Sequence, residues 1–445
     1  MCNKITIELP PQVIYIIEQL QQKGFEAFVV GGCVRDSIIG RSPQDWDITT
    51  NSKPEDVKAT FNKTFDTGLV HGTVTVLVDS TAYEVTTYRT EGKYINNRKP
   101  EKVDFINSID VDLSRRDFTI NAMAYSPTQG LVDPFKGLLS IEHKMIKAVG
   151  NAEDRFEEDA LRMLRAVRFS AQLGYDIEPL TLQAIKNHSI LIKNISAERI
   201  REELNKTLMA DPLAFELLHA TGLLKQIMPE LDCCFGIEQH NPYHMYNVAL
   251  HSLHSASNIA HDLNLRWTML LHDIGKAATI SVDNEGINHF YDHGSVSVQK
   301  AESIMQRLRF DNSSINKIKL LILHHDRQLG ESDKSVRKAI AEIGADLFEA
   351  WLQVKEADIS AQSSEKAAER LSMLDRVNAI YEKIMADKQC LTIKELAVNG
   401  DDLLGIGFKQ DKILGTVLKT LFDKVLEQPE LNNRATLLEL SKRYL

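Results

Sequence analysis

Two aspartates that follow a pair of glycines are the first residues whose types and spacing could do chemistry. Gly31 and Gly32 end a short apolar run, and Asp45 and Asp47 come after a gap of twelve residues. Alternate residues of a strand point to the same side, so the two carboxylates should project together and need a cation between them. Mg²⁺ prefers such oxygen ligands, and two ions can activate an attacking hydroxyl and stabilise a leaving pyrophosphate.

Neighbouring residues extend this candidate phosphate-transfer site. The backbone at Gly31 and Gly32 can approach a triphosphate closely, because glycine has no side chain in the way. Arg35 adds a positive charge opposite the phosphates, and Glu84, on a later strand pattern, is the candidate third carboxylate. The alternative interpretation is a turn followed by a solvated acidic strand end, with Glu84 an ordinary edge-strand charge.

A second group of charged residues lies in a helical pattern at residues 155–169 (RFEEDALRMLRAVRF). Asp159, Arg162 and Arg165 are spaced three apart and share one side of the predicted helix. A carboxylate accepts from an exocyclic amine, and a guanidinium offers donors to a ring nitrogen or carbonyl. The pair could select cytosine and adenine and reject guanine and uracil. Surface ion pairs such as Glu158–Arg162 are the alternative.

In order and spacing, these segments resemble the five motifs of the class II tRNA nucleotidyltransferases, the CCA-adding enzymes, and of their bacterial poly(A) polymerase relatives. The motifs cover residues 25–206: GGCVRD with DWD, SRRDFTINAMAY, Asp133-Pro134, RFEEDALRMLRAVRF and ISAERIREEL. The resemblance implies addition of C, C and A to the tRNA 3′ end from CTP and ATP. It also implies Mg²⁺ at Asp45 and Asp47, with Asp159 and Arg162 as the template for the base.

Other residues of these motifs receive roles only through the resemblance. It implies that Arg116, Arg165 and Arg168 contact the nucleotide or its phosphates, and that Asp117 and Asn121 position the sugar or brace the site.

Residues 90–105 (TEGKYINNRKPEKVDF) resemble the flexible loop that the family needs for the terminal adenosine, with an exposed hairpin loop as the alternative. Its basic residues are Lys93, Arg98, Lys99 and Lys102. The full length of this segment favours complete CCA addition. An enzyme that adds only A, to tRNA or as a poly(A) tail, is the nearest alternative, and incorporation of CTP distinguishes the two.

Histidines and aspartates cluster in the third quarter of the chain, where they form a candidate metal site. Imidazole and carboxylate are usual ligands of borderline divalent metals, and ligands on several helices suit the inside of a helical bundle. The order His, His-Asp, late Asp resembles the HD metal phosphohydrolases. That resemblance implies a transition metal on the core ligands His251, His272, Asp273 and Asp358.

The same likeness implies a second metal supported by His293, His324 and His325, with Lys276 meeting phosphate. It makes a metal-dependent phosphohydrolase with a nucleotide-sensing head an alternative function of another class. A domain that keeps the ligands but serves only as body and RNA support is the further alternative.

Composition limits the remaining possibilities. The 445 residues carry a formal net charge of -10, which argues against a protein that binds nucleic acids nonspecifically. Five irregularly spaced cysteines without a CxxC indicate reduced thiols. We expect no signal peptide, membrane span or obligate protein partner, and therefore a cytoplasmic enzyme.

The predicted fold class is α+β, an α/β nucleotidyltransferase head followed by an all-α neck, an HD body and a tail. The proposed domains are a head at 1–150, a neck at 151–230, an HD domain at 231–370 and a tail at 371–445. From about Glu153 the pattern is helical, with loops at Asn241-Pro242 and residues 282–286. The tail resembles the tRNA-gripping tail of the family, and Lys409, Lys412 and Lys419 could assist there.

Overall fold

The computed structural model describes residues 5–92, 94–95, 99–100, 103–239, 246–362 and 364–445. The chain divides into two compact units, Met1–Pro229 and Glu230–Leu445. None of the described helices is long and apolar enough to cross a membrane. Lys93, Arg98, Lys102 and the Asn241-Pro242 loop lie outside the described residues. The domain boundaries near residues 150 and 370 stay predictions.

The first unit is built on a mixed seven-stranded sheet. Its strands, together with short ladders, are β1 (Ala27–Val30), β2 (Ile48–Thr50), β3 (Thr64–Gly68), β4 (Thr73–Val78), β5 (Thr81–Thr87), β6 (Arg89–Glu91), β7 (Tyr94–Ile95), β8 (Lys99–Pro100), β9 (Val103–Phe105), β10 (Ala124–Ser126), β11 (Gly130–Val132), β12 (Met145–Ile146) and β13 (Asp176–Ile177). The sheet order is β11-β10-β1-β2-β5-β4-β3, and within it only the β2–β5 pair is parallel.

Helices surround this sheet and continue beyond it. They are α1 (Pro11–Gln22), α2 (Gly32–Ile38), α3 (Pro54–Thr60), α4 (Ile109–Ser114), α5 (Gly137–Glu142), α6 (Ala152–Glu158), α7 (Leu161–Leu173), α8 (Pro179–His188), α9 (Ala197–Ala210), α10 (Phe215–Ala220) and α11 (Leu223–Ile227), with α12 (Pro229–Asp232) at the unit boundary. The apolar residues of α1, among them Ile16 and Leu20, recur at helical spacing and pack in one core with Val74 and Val76 of β4.

Three sequence predictions need correction in this unit. Asp45 and Asp47 lie on the extended segment just before β2, which begins at Ile48, and not within a strand. The predicted neck helix is interrupted, because α6 ends at Glu158 and Asp159 has an extended backbone. The region after Glu153 is also not purely helical, since β13 pairs in parallel with β12.

Helices dominate the second unit, which adds one hairpin. The elements are α13 (Val248–Asn258), α14 (Leu263–Leu271), α15 (Lys276–Thr279), β14 (Ile280–Val282), β15 (Asn288–Phe290), α16 (His293–Arg307), α17 (Asn312–His324), α18 (Asp333–Ile343), α19 (Phe348–Ser360), α20 (Ser364–Ala386), α21 (Gly400–Gly405), α22 (Lys412–Glu427) and α23 (Arg434–Ser441). The loop predicted at 282–286 is the turn of the β14–β15 hairpin, so this unit is not all-α in detail.

Two apolar cores hold the second unit together. The larger one centres on Phe348 and Trp351 of α19, which are fully buried. The other one, around Leu403 and Leu421, joins α21 and α22 in the C-terminal part. The α+β fold class is therefore confirmed, with a sheet in the first unit and helices in the second.

Candidate active site and metal centre

Three carboxylates meet at a cavity of about 510 Å³ on one face of the sheet. Asp45 and Asp47 come from the segment before β2, Glu84 comes from β5, and all three line the cavity. Desolvation raises the pKa of Asp47, the Arg116 charge opposes that rise, and the charges of Glu84 and Asp45 add to it. Because the carboxylates repel each other and offer only oxygen ligands, they fit a hard cation such as Mg²⁺.

The turn between β1 and α2 leaves room for the guanidinium of Arg116 near these carboxylates. Gly31 has a φ of +83°, and a Cβ on it would lie 3.1 Å from Nη1 of Arg116. A side chain would therefore be strained here and would crowd the guanidinium. Burial lowers the pKa of Arg116, while the neighbouring Asp112 charge opposes the effect.

Asp112 is a site-building residue that sequence analysis missed. Its side chain is fully buried and accepts from Nε of Arg115 at 3.0 Å and from the backbone N–H of Arg89 at 3.2 Å. It also lies 3.6 Å from Nη2 of Arg116. The sequence offers one signal, an aspartate one helical turn before the arginine pair of SRRD.

The predicted phosphate ligand Arg35 is tied into a buried network. Its Nη1 donates to Oδ1 of Asn121 at 2.6 Å, and Nδ2 of Asn121 donates to Asp117 at 3.1 Å. Nε and Nη2 of Arg165 donate to the same Asp117 at 2.8 and 2.5 Å. Burial alone would raise the pKa of Asp117, but the Arg165 charge and these hydrogen bonds lower it to about 2. Asp117 and Asn121 thus link Arg35 to the neck helix α7.

Phe169 of α7 organises three of the predicted nucleotide-binding arginines. The guanidinium carbons of Arg35, Arg165 and Arg168 lie 5.1, 5.3 and 4.1 Å from its ring centroid. Arg168 is further held by Glu203 at 2.5 Å. Cation–π contacts and ion pairs together fix the three side chains in one region of the unit.

The two residues proposed to choose the base lie at the break between α6 and α7. Asp159 accepts from Nη2 of Arg199 at 3.0 Å, and the backbone N–H of Leu161 donates to its Oδ1. Arg162 forms the ion pair with Glu158 that sequence analysis weighed as the alternative, at 2.7 Å. Its Nη2 also donates to the carbonyl of Arg115. Arg162 is therefore held rigidly, and its base-selecting role stays a prediction.

Histidines and aspartates converge inside the second unit as two groups that share Asp273. The described donors within 4.8 Å of one another are His251, His272 and Asp273 in one group and Asp273, His293 and His325 in the other. Asp358 completes the first group, with Oδ1 at 2.9 Å from Nε2 of His251. Of the three histidines named for a second metal, His293 and His325 join the second group, whereas His324 lies outside both groups.

The orientation of the imidazoles fits metal binding. Nδ1 of His272, His293 and His325 bonds to the carbonyls of Met269, Phe290 and Ile322 at 2.7, 2.8 and 2.6 Å, which turns each Nε2 toward Asp273. This is how proteins orient histidine ligands of metals. Within the described structure, Nε2 of His272 and Oδ1 of Asp273 are buried without a well-formed hydrogen bond. A mixed nitrogen and oxygen set suits a transition metal.

Electrostatics agree with a cation at this centre. Burial alone would lower the pKa of His272, but the Asp273 charge raises it to about 10. Lys276, one turn after Asp273, lies 2.7 Å from it and faces a cavity of about 420 Å³. Sequence analysis missed Lys355, a buried lysine whose Nζ donates to the carbonyl of His325 at 2.9 Å.

The first unit thus carries a nucleotidyltransferase-type site, with three carboxylates on a mixed sheet. Three family models match the chain: "Poly A polymerase head domain" over residues 27–147, "Probable RNA and SrmB- binding site of polymerase A" over residues 174–235, and the second tRNA nucleotidyltransferase domain over residues 279–440. All three models describe domains of tRNA nucleotidyltransferases and poly(A) polymerases, the family that the motifs predicted.

Named relatives agree with this family. The chain is 50% identical over 228 residues to the CCA-adding enzyme of Lactobacillus delbrueckii subsp. bulgaricus, a match that covers 51% of this chain and 58% of that protein. It is 49% identical over 195 residues to the CCA-adding enzyme of Streptococcus pyogenes, which covers 44% and 48%. The matched part thus spans about half the length of these curated relatives.

Solved structures resemble the chain over almost its whole length. The Bacillus stearothermophilus CCA-adding enzyme in complex with CTP is 28% identical, with a TM-score of 0.70, covering 98% of this chain and 99% of that one. The Thermotoga maritima CCA-adding enzyme complexed with tRNA shares the fold at 17% identity and a TM-score of 0.59, covering 98% and 97%.

Proposed function

We propose that the chain adds C, C and A to the 3′ end of tRNA from CTP and ATP and releases pyrophosphate. The observation that carries the proposal is the meeting of Asp45, Asp47 and Glu84 at one cavity beside Gly31 and Arg116. The names of the relatives support tRNA, CTP and ATP as partners. We also propose a cytoplasmic location, where those partners occur, and no obligate protein partner.

Each group has a task in this reaction. Asp45, Asp47 and Glu84 would hold Mg²⁺, which when bound polarises the α-phosphate and the primer hydroxyl. The amides at Gly31 and Gly32 and the charge of Arg116 stabilise the triphosphate on the other side. The primer 3′-hydroxyl loses its proton to solvent and its oxygen attacks the α-phosphorus. The bond from the α-phosphorus to the oxygen that bridges to the β-phosphate breaks, and pyrophosphate leaves.

Base selection belongs to the break between α6 and α7. Asp159 is half-buried there and offers an acceptor, while Arg162 offers donors whose plane is fixed by Glu158 and the carbonyl of Arg115. A rigid donor and acceptor pair can discriminate between bases, because a wrong base leaves a polar group of Asp159 or Arg162 without a hydrogen-bond partner.

The test is extension of three tRNA transcripts that lack C-C-A, C-A or A, each with CTP alone, ATP alone and both. Incorporation of CTP on the first two and of ATP on the third supports the proposal. Incorporation of ATP on the third transcript without any incorporation of CTP on the first two supports A-only addition instead, and runs of A on any of the three support poly(A) synthesis.

The metal centre supports a second candidate function, a metal-dependent phosphohydrolase in the second unit. The observation that favours it is the pair of donor groups around Asp273, beside a cavity where Lys276 could meet a phosphate. A bound divalent metal supplies a nucleophilic water at neutral pH. Hydrolysis of bis-p-nitrophenyl phosphate that needs added Mn²⁺, Ni²⁺ or Zn²⁺ and disappears in His272→Asn supports this activity. No turnover with any metal leaves the unit as a support for RNA.

A further inference from the structure

We propose that Phe65, with the hydroxyls of Thr67 and Thr75, forms a subsite for the 3′-terminal base and sugar of the RNA primer. This inference rests on the proposed nucleotidyl transfer and deepens it, because it assigns the primer end to one part of the sheet. The subsite lies on the same face as the three carboxylates, toward the outer strand β3.

The register of the sheet places these side chains in one row with Glu84. Thr75 of β4 is the partner of Glu84 of β5, and Phe65 of β3 is the partner of Thr75. Directly opposite residues of an antiparallel pair project from the same face. Thr67 comes two residues after Phe65 in β3 and shares its face, and its hydroxyl lies 2.8 Å from that of Thr75.

Phe65 is not needed by the apolar core. The core takes the other face of β4, where Val74 and Val76 are fully buried, whereas 54% of the Phe65 surface is exposed. The row therefore changes from a carboxylate at Glu84, through the two threonine hydroxyls, to an exposed aromatic ring. That sequence of groups matches a nucleotide, whose reacting hydroxyl, sugar and base also follow one another.

Strand order decides which nucleotide would lie there. β1, whose end carries Gly31, and β4, which carries Thr75, flank the carboxylate-bearing pair β2–β5 on opposite sides. The incoming triphosphate is proposed on the Gly31 side. In phosphoryl transfer the attacking and leaving oxygens are roughly in line on opposite sides of the phosphorus. The attacking primer hydroxyl then arrives from the β4 side, and its nucleotide extends toward Phe65.

The distance suits one nucleotide. Neighbouring strands lie about 4.8 Å apart, so the backbones of Glu84 and Phe65 are roughly 10 Å apart. Single-stranded RNA ends are commonly held by stacking on aromatic side chains, and such stacking tolerates different bases. That tolerance is what a primer subsite needs if the terminal base changes during successive additions.

The experiment compares Phe65→Ala, Phe65→Trp and Val70→Ala in steady-state extension by the full-length protein. Val70 is an 82% exposed apolar residue on the same edge but outside the row, so it is the matched control. We expect Phe65→Ala to raise KM for the tRNA about 5-fold to 100-fold, with KM for CTP unchanged, since stacking one base is worth about 1–3 kcal/mol and 1.4 kcal/mol is tenfold. Phe65→Trp should restore the wild-type KM for the tRNA, and Val70→Ala should leave that KM unchanged.

A binding readout separates this inference from the proposed function. A tRNA transcript with 2-aminopurine at its 3′ terminus should lose fluorescence on binding to wild type and to Val70→Ala, but not to Phe65→Ala. If wild type extends primers and Phe65→Ala keeps the wild-type KM for tRNA and the quenching, the subsite is refuted while the transferase stands. A raised KM for CTP instead of tRNA also refutes it. If wild type extends no primer, the proposed function fails, and the subsite with it.

Discussion

Asp47, just before β2, and Glu84, within β5, lie side by side because β2 and β5 are parallel and in register. Ile48 of β2 is the partner of Val85 of β5, and each carboxylate comes one residue before. The two like charges influence each other, since Glu84 helps to raise the pKa of Asp47. The parallel pair β2–β5 in an otherwise antiparallel sheet thus places two carboxylates together, and this pair requires a cation.

Glu84→Gln should lower kcat for CTP and for ATP incorporation by at least about 100-fold, the scale of losing several kcal/mol of charge stabilisation by a metal. The cause is loss of one carboxylate from the cation site. Glu55→Gln, an exposed glutamate of α3, is the control and should keep full activity. A fully active Glu84→Gln variant would contradict the assignment of Glu84 as third carboxylate.

Asp159→Ala should relax base choice as well as slow addition. Without the acceptor, kcat/KM for UTP and GTP should rise by roughly 10-fold to 100-fold relative to kcat/KM for CTP and ATP. The reason is that the Asp159 carboxylate no longer opposes the hydrogen-bonding edges of uracil and guanine. Competition assays with all four nucleotides measure this ratio. Asp154→Ala, an exposed aspartate of α6, should keep the wild-type ratio. If Asp159→Ala only slows all four nucleotides equally, Asp159 braces the neck and does not select the base.

Asp117→Asn should destabilise the protein by about 3 kcal/mol at pH 7, because it removes the charge with which the buried Asp117 pairs with the half-buried Arg165. The pKa of Asp117 is lowered to about 2 in the folded state. Its stabilising contribution is therefore complete above the ordinary carboxyl pKa near 4 and is lost as pH falls toward 2. Urea unfolding should show a gap between variant and wild type that narrows from pH 4 to pH 2.

The control for that experiment is Asp176→Asn, an exposed aspartate in β13. It should unfold like the wild type at every pH. A gap between Asp117→Asn and wild type that stays constant down to pH 2 would show that the stabilising pair does not depend on the Asp117 charge.

Asp273→Asn should remove all tightly bound metal from the second unit, because Asp273 belongs to both donor groups. His293→Asn should reduce the content from about two ions to about one, as expected if a two-metal site loses one ligand set. His324→Asn, which alters the neighbour of a ligand but no ligand, should keep the wild-type content. Metal analysis after dialysis against Mn²⁺ or Zn²⁺ gives these numbers, and equal losses in all three variants would refute the two-group arrangement.

Local patterns predicted much of this molecule. The glycine pair, DWD and the strand alternation at residues 72–88 located the carboxylate site, because those features depend on neighbours in the chain. The His-Asp order likewise pointed to a metal centre. The sequence could not separate His324 from His325, because adjacent helical residues differ only in which side faces the other helices.

Contacts between distant segments were beyond the sequence. Asp112 contacts Thr49 and Arg116, which are far apart or on another element, only once the sheet has formed. Asp159, at the break between α6 and α7, likewise pairs with Arg199 of α9, forty residues away. Sequence analysis gave Phe65 no role, and only the register with Thr75 and Glu84 shows that it lies on the carboxylate face.

The most direct test of the central claim is sequencing of the 3′ ends made from a tRNA transcript lacking C-C-A, with CTP and ATP both present. Products that gain C, C and A and then stop, and that vanish in an Asp45→Ala/Asp47→Ala variant, are the result expected from three carboxylates and a base-selecting neck. Runs of A, or ends unchanged by the wild type, would contradict the account.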